Sequence, residues 1–187
     1  MMEELELEKA ARRIEGESLS RVYYQSAGGA DSPAWAGPGP HPVQLAVYLE
    51  MASGQIFRVY WADQFNLHHG HGIAIARTPV IDRDLGPVEE ATMLPAWKDS
   101  IGLRIQSAMI QWRAVSEALR PSFIGLVAIH GDWVRRSDYP QALGLGFDGG
   151  RQFFIAAAHL LEGKAAGFAN SLLVVFDRSQ MESLGLE

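Results

Sequence analysis

The chain contains no cysteine. Disulfide frameworks, thiolate nucleophiles, cysteine-ligated zinc and iron–sulfur clusters are thereby excluded. Nor does any apolar run approach the roughly 20 residues that a membrane-spanning helix needs. The opening MMEELELEKAARRIEGE is acidic before it is basic, the reverse of a secretory leader. Positive charge is scarce as well: 16 Lys and Arg against 22 Asp and Glu leave a formal net charge of −6. A nucleic-acid binder needs a clustered basic surface. There is no G-x-S-x-G elbow, no phosphate loop ending in Gly-Lys-Ser/Thr and no H-E-x-x-H helix. These absences predict a cytoplasmic chain that binds neither membrane nor nucleic acid and carries no cofactor or catalytic residues of a recognisable kind. An acidic surface suits a basic protein partner, although −6 is also an ordinary value for a soluble domain.

What the chain does have is 187 residues, 48% of them hydrophobic, enough for one substantial core. The stretch from Val43 to Ala62 alternates at Val47, Leu49 and Met51, turns at Ala52-Ser53-Gly54, and returns through Phe57 and Val59. A second stretch repeats the pattern: Leu143, Leu145 and Phe147, then Asp148-Gly149-Gly150, then Phe153 and Ile155. Period-two alternation broken by a glycine-bearing turn predicts a β-hairpin in each. Aligning Gly54 with Gly150 superposes Phe57 on Phe153 and Val59 on Ile155, as a duplicated unit would, although any two amphipathic hairpins share this period.

The remaining elements follow in order. Glu3 to Ile14 has helical spacing and stops at Gly16; Ser18 to Gln25 reads as a strand; Ser26 to Pro42 is a loop rich in Gly and Pro. Ile73 to Ala76 is a short strand, and Arg77 to Pro95, with three prolines, connects two halves. Ala96 to Arg113 fits helix or strand, with strand favoured from Ile105. Phe123 to Ile129 is a further strand, Gly131 to Trp133 its turn, and Arg135-Arg136 lead into the second hairpin. Glu162 to Gly167 reads as a loop, and the apolar run Leu172 to Phe176 as a strand covered on both faces. A last short helix is capped by Asp177 or Ser179. The expected fold is mostly β. Two similar strand-hairpin-strand halves, 17–95 and 96–187, form a β-sandwich or a partly open barrel in one domain, with short helices at both ends, the first over 1–16.

Two groups of residues offer chemistry. His68, His69 and His71 place three imidazoles within four positions, a spacing that suits a transition metal if Asp63, His41, His130 or another carboxylate completes the set. The same residues equally make a polar loop between strands. Trp133 with Arg135 and Arg136 supplies the residue types that dominate protein-binding surfaces. Trp35, alone in its loop, either anchors that loop or offers its amphipathic ring to a partner. The glycines at 144, 146, 149 and 150 look like a dinucleotide fingerprint, but they fall inside a hairpin and not between a strand and a helix.

SGQIFRVYWADQF, WKDSIGLRIQSAMIQWRA and LGLGFDGGRQFFIAAAHLLEG followed by FANSLLVVFD resemble the strand patterning of a loose set of uncharacterised bacterial β-rich proteins. Some of those resemble immunity proteins of polymorphic toxin systems. The resemblance implies a cytoplasmic, non-enzymatic binder that neutralises another protein by covering its surface, with the loops at Trp35, His68 to His71 and Trp133 as its contacts. The alternative from the residues themselves is a metal-dependent enzyme or small-molecule binder centred on His68, His69, His71 and Asp63.

Overall fold

The computed structural model describes residues 2–28, 35, 39–62, 72–118, 134–161 and 164–186, with backbone alone for 2–4, 114–118, 134–138, 161 and 166–170. The helix α1 (Met2–Arg12) turns Leu7 and Ala11 inward, as its spacing predicts, and Ile14 just beyond it is fully buried. Strands β1 (Leu19–Gln25), β2 (His41–Val43), β3 (Ala46–Met51), β4 (Ile56–Ala62), β5 (Gly72–Thr78) and β6 (Val88–Glu90) follow. Then come a one-turn helix α2 (Pro95–Lys98), strands β7 (Ile105–Ala118), β8 (Val134–Phe147), β9 (Gln152–Leu161) and β10 (Lys164–Val175), and the helix α3 (Arg178–Ser183).

All pairings are antiparallel, in two five-stranded sheets of order β5-β4-β3-β1-β6 and β2-β10-β9-β8-β7. The inner faces share one apolar core. It takes Leu19, Val47, Leu49, Phe57 and Val59 from the first sheet and Ile105, Leu143, Leu145, Phe153 and Ile155 from the second. The result is a sandwich, not a barrel: each sheet keeps two edges. At one place the layers touch backbone to backbone, since a Cβ on Gly72 of β5 would lie 2.7 Å from the Pro140 carbonyl oxygen of β8.

Each sheet is a four-stranded meander with one added edge strand, and the two meanders pair alike. Val47 faces Val59 and Leu49 faces Phe57; in the second hairpin Leu143 faces Ile155 and Leu145 faces Phe153. Both loops close the same way, Met51 N–H donating to Gln55 O and Phe147 N–H to Arg151 O, each at 2.8 Å. Gly54 and Gly150 both take φ 82°, the left-handed conformation that ends a three-residue hairpin loop. The register of β1 on β3 shifts between Leu19 and Arg21, and that of β7 on β8 between Ile105 and Ser107, so both meanders are bulged at the matching place. At the junction of the halves Ser18 bridges Arg104. Around it Gly16 N–H donates to Ile105 O and Gly102 N–H to Leu19 O, while Leu19 N–H donates to Leu103 O and Ile105 N–H to Glu17 O. Exchanging each residue for its counterpart turns one bond of each pair into the other, which defines a local two-fold axis.

Several expectations need correction. His41 to Val43 does not open the first hairpin; it pairs with β10 as the edge of the second sheet, where Pro42 is tolerated because an edge strand leaves one side without ladder bonds. The connector 77–95 contains the edge strand β6, held on β1 by Tyr23 opposite Glu90. The expected loop at 162–167 yields to β10 from Lys164: the register opposite Leu161 imposes a strand on small residues that carry no pattern of their own. Arg135 and Arg136 stand within β8, opposite Glu117 and Ser116, and not in a loop before it. Of the two caps expected for α3, Asp177 is the one used, accepting from Gln180 N–H at 2.7 Å. The strand expected over Phe123 to Ile129 and the turn after it lie outside the described residues. Among the described residues no helix is long and apolar enough to cross a membrane.

Candidate functional site

Three of the anticipated contacts, His68, His69 and His71, lie outside the described residues, as do Asp63 and Trp133. Among the described residues no three acidic or imidazole side chains gather as a metal site would require. Trp35 belongs to the core: it is 9% exposed, donates Nε1–H to Pro42 O at 2.7 Å, and meets Tyr24 edge to face at 4.9 Å. Its ring anchors the loop and leaves a partner little to touch.

Trp35 is one end of an aromatic seam between the sheets. Tyr24 of β1 lies 3.1 Å from Nδ1 of His41 in β2, and Trp97 of α2 donates Nε1–H to the same hydroxyl. An indole only donates, so the Tyr24 oxygen accepts there, while toward His41 Nδ1 the hydroxyl donates or accepts according to the imidazole tautomer. Burial pushes the Tyr24 hydroxyl far above the usual phenol range. Phe176 and Phe153 complete the seam against Trp97, with Phe147 beyond Phe153. This packing holds one sheet to the other.

The outer faces of the two sheets are where the halves differ. On the first sheet Tyr23 donates to Glu50 at 3.0 Å, and the Arg58 guanidinium sits 4.6 Å from the Tyr60 ring and 6.0 Å from the Tyr48 ring. The connector after β5 closes over them: Ile81 packs on Tyr23, Ala46 and Tyr48, and the Asp82 carbonyl accepts from Gln25 Nε2 at 2.7 Å. Burial raises the Tyr23 and Tyr48 hydroxyls above their ordinary range, as expected for a covered face.

On the second sheet the counterparts of Tyr23, Tyr48, Glu50 and Arg58 are Met109, Gly144, Gly146 and Phe154, by the shared register. The helix α3 covers part of this face, seating Met181 and Leu186 on Ala142, Phe154, Ala156, Leu173 and Val175. Beside it stays a shallow trough open to solvent, walled by Met109, Gln111 and Ser107 on β7, Gln152 and Phe154 on β9, and Arg178 on α3. Glycines at two alternate positions of β8 carry no side chain on this face, and side chains of the neighbouring strands lie over them. A Cβ at Gly144 would come 3.3 Å from the Phe154 ring and one at Gly146 2.6 Å from Ser107 Oγ, so both neighbours use the room. Met109 is 64% exposed at the rim.

Sequence reasoning passed over these residues. Gly144 and Gly146 were visible only as an imperfect nucleotide motif, and Met109 as one member of an ambiguous segment. The usable signal was the alternation itself: two glycines two apart inside a strand mark a face against which something else can come close.

Fold and site together define a two-layer antiparallel β-sandwich with one self-covered and one partly open outer face. No protein-family model, curated protein or solved structure matches the chain.

Proposed function

We propose that this protein is a non-enzymatic binding module that acts by covering a partner protein's surface, with the open outer face of the second sheet as its contact. The trough between Met109 and Phe154 carries the reading. Matching positions of the first sheet carry the chain's own tyrosines and are closed by its connector, whereas here Met109 stands in the place of Tyr23 with its large apolar side chain in solvent. An exposed apolar patch with a polar rim is what a protein–protein contact offers. A bacterial, immunity-like role, in which covering the partner neutralises it, is the form of this activity that the strand patterning suggests. Descent of the two halves from one duplicated unit belongs to the same reading, supported by the shared bulge and loop geometry.

The test is a photo-crosslinking residue placed at 109 in the full chain and, as control, at the exposed Glu89 of the first sheet, in cells of the native host. One protein joined from 109 and not from 89 is the expected result. In reconstitution with that protein Met109→Glu weakens binding about tenfold or more at unchanged melting temperature, as loss of a contact at the centre of an interface does. Equal crosslinking from both positions, or wild-type affinity in Met109→Glu, rejects the assignment.

A further inference from the structure

Two open sheets leave four strand edges, and the N–H and C=O groups along an edge recruit another strand unless something guards them. Three of the four are guarded. The edge strands β2 and β6 are three residues long, the first holding Pro42 and the second Glu89 and Glu90. Strand β5 is flanked by α1 and by β8, whose Pro140 lies against Gly72. The fourth edge, β7, runs for 14 residues. Its near end is taken by the chain itself: Gly16 and Glu17 bond to Ile105, and the Glu15 carboxylate accepts from Ala108 N–H at 3.0 Å. Beyond Ala108 nothing pairs with this edge among the described residues.

The Ala108 bond also sets the phase of the edge. Its N–H points away from β8, so the alternate residues that follow, Ile110, Trp112, Ala114 and Ser116, turn N–H and C=O to the same side. The bulge on the way adds its extra residue, Gln141, to β8, and β7 keeps its alternation. Pro140 opposite Trp112 agrees, because a residue without N–H suits a pair that exchanges no ladder bonds. The charges on this segment are Arg113 and Glu117, which stand opposite Tyr139 and Arg135 of β8. The Arg113 guanidinium gives Nη1–H to Gly185 O at 3.2 Å, one of the five donors such a group has.

We infer that two copies of this chain pair through the outer edge of β7, antiparallel, about a two-fold axis at Val115. An axis at Arg113 or Glu117 would set like charges opposite each other, and one at Ala114 or Ser116 would leave both charges without a counterpart. At Val115, Arg113 of each copy stands opposite Glu117 of the other, and Ala114 exchanges backbone bonds with Ser116. Opposite charges directly across two strands favour a register, and like charges disfavour it. The row across the joined sheets then reads Tyr139 and Arg113 of one copy, Glu117 and Arg135 of the other. This contact uses the strand edge and stands apart from the docking face proposed above.

The absence of cysteine makes the register directly testable in the full chain. A two-fold axis at Val115 brings that residue beside its own copy at about 4.5 Å between Cα atoms, within the span of a disulfide. Val115→Cys is expected to form a covalent dimer under mild oxidation about tenfold faster than Gln111→Cys or Glu89→Cys. Wild-type protein should sediment as a reversible dimer. Ala114→Pro removes a donor that only the edge uses, and should leave a monomer of unchanged melting temperature. If that variant unfolds, the cysteine comparison decides alone. A wild-type chain that stays monomeric at about 100 μM, far above the concentrations at which specific interfaces assemble, overturns the inference. So does a folded Ala114→Pro that still dimerises, or crosslinking from 111 or 89 as fast as from 115.

Discussion

At the scale of single residues, the Tyr24 hydroxyl does more than its volume suggests. It accepts the Trp97 indole hydrogen and shares a hydrogen bond with His41 Nδ1, joining α2, β1 and β2 inside an apolar seam. Tyr24→Phe keeps the ring but takes that hydroxyl from two buried polar groups. A cost of about 2–4 kcal/mol follows, one to two for each group deprived of it, measurable by urea denaturation at pH 7. The same hydroxyl, with those of Tyr23 and Tyr48, is held above its ordinary range by burial. A folded-state pKa above the unfolded one gives stability that is whole below about pH 10 and is lost as pH rises through the folded value. Wild-type stability should therefore fall above about pH 10, and less steeply in Tyr24→Phe. None of this seam was legible beforehand beyond Trp35 as an anchor, since Tyr24, His41, Trp97 and Phe176 come from four distant stretches that no local pattern relates.

At the scale of elements, the hairpins were legible because each combines alternation with a glycine that the loop geometry requires. The edge strands β2 and β6 were not, since three residues cannot display a period and one of them is Pro42. Their pairing is dictated by the neighbouring strand. The helix α3 shows how little a terminal element needs: Asp177 accepts from Gln180 N–H at 2.7 Å and from Ser179 Oγ at 2.6 Å, and Gln180 reaches back to Phe176 N–H at 3.3 Å. Those bonds, from Ser179 first and then the Gln180 amide, hold the Asp177 carboxyl below its ordinary value. A depressed carboxyl gives stability present above the unfolded value, near pH 4, and lost as pH falls through the folded one. Asp177→Ala should cost about 1 kcal/mol at pH 7, and the gap to wild type should shrink toward pH 3, followed by urea midpoints at both values. An equal gap at both would mean that the charged form of the cap contributes nothing. Because α3 supplies one wall of the trough, the same variant should loosen binding of the proposed partner there.

At the scale of the molecule, the two meanders should fold as one object, because their inner faces share one core. Leu143 and Leu145 of the second sheet share a continuous core with Val47, Leu49 and Phe57 of the first, and the seam around Trp97 crosses the same boundary. The backbone contact of Gly72 on Pro140 fixes the layers at a second point. Two linked domains would unfold in two steps; a shared core requires one. Leu143→Ala removes a fully buried side chain and should cost about 2–5 kcal/mol. That loss should be felt equally by Trp61 in β4 and Trp112 in β7, each retained as the sole tryptophan outside the seam, where Trp35 and Trp97 are kept for stability. Coincident urea transitions at 61 and 112, displaced together by Leu143→Ala, are the expected result. If Trp112 moves and Trp61 does not, each half carries its own stability, and the open face of the second sheet has to be treated as the surface of an independent unit.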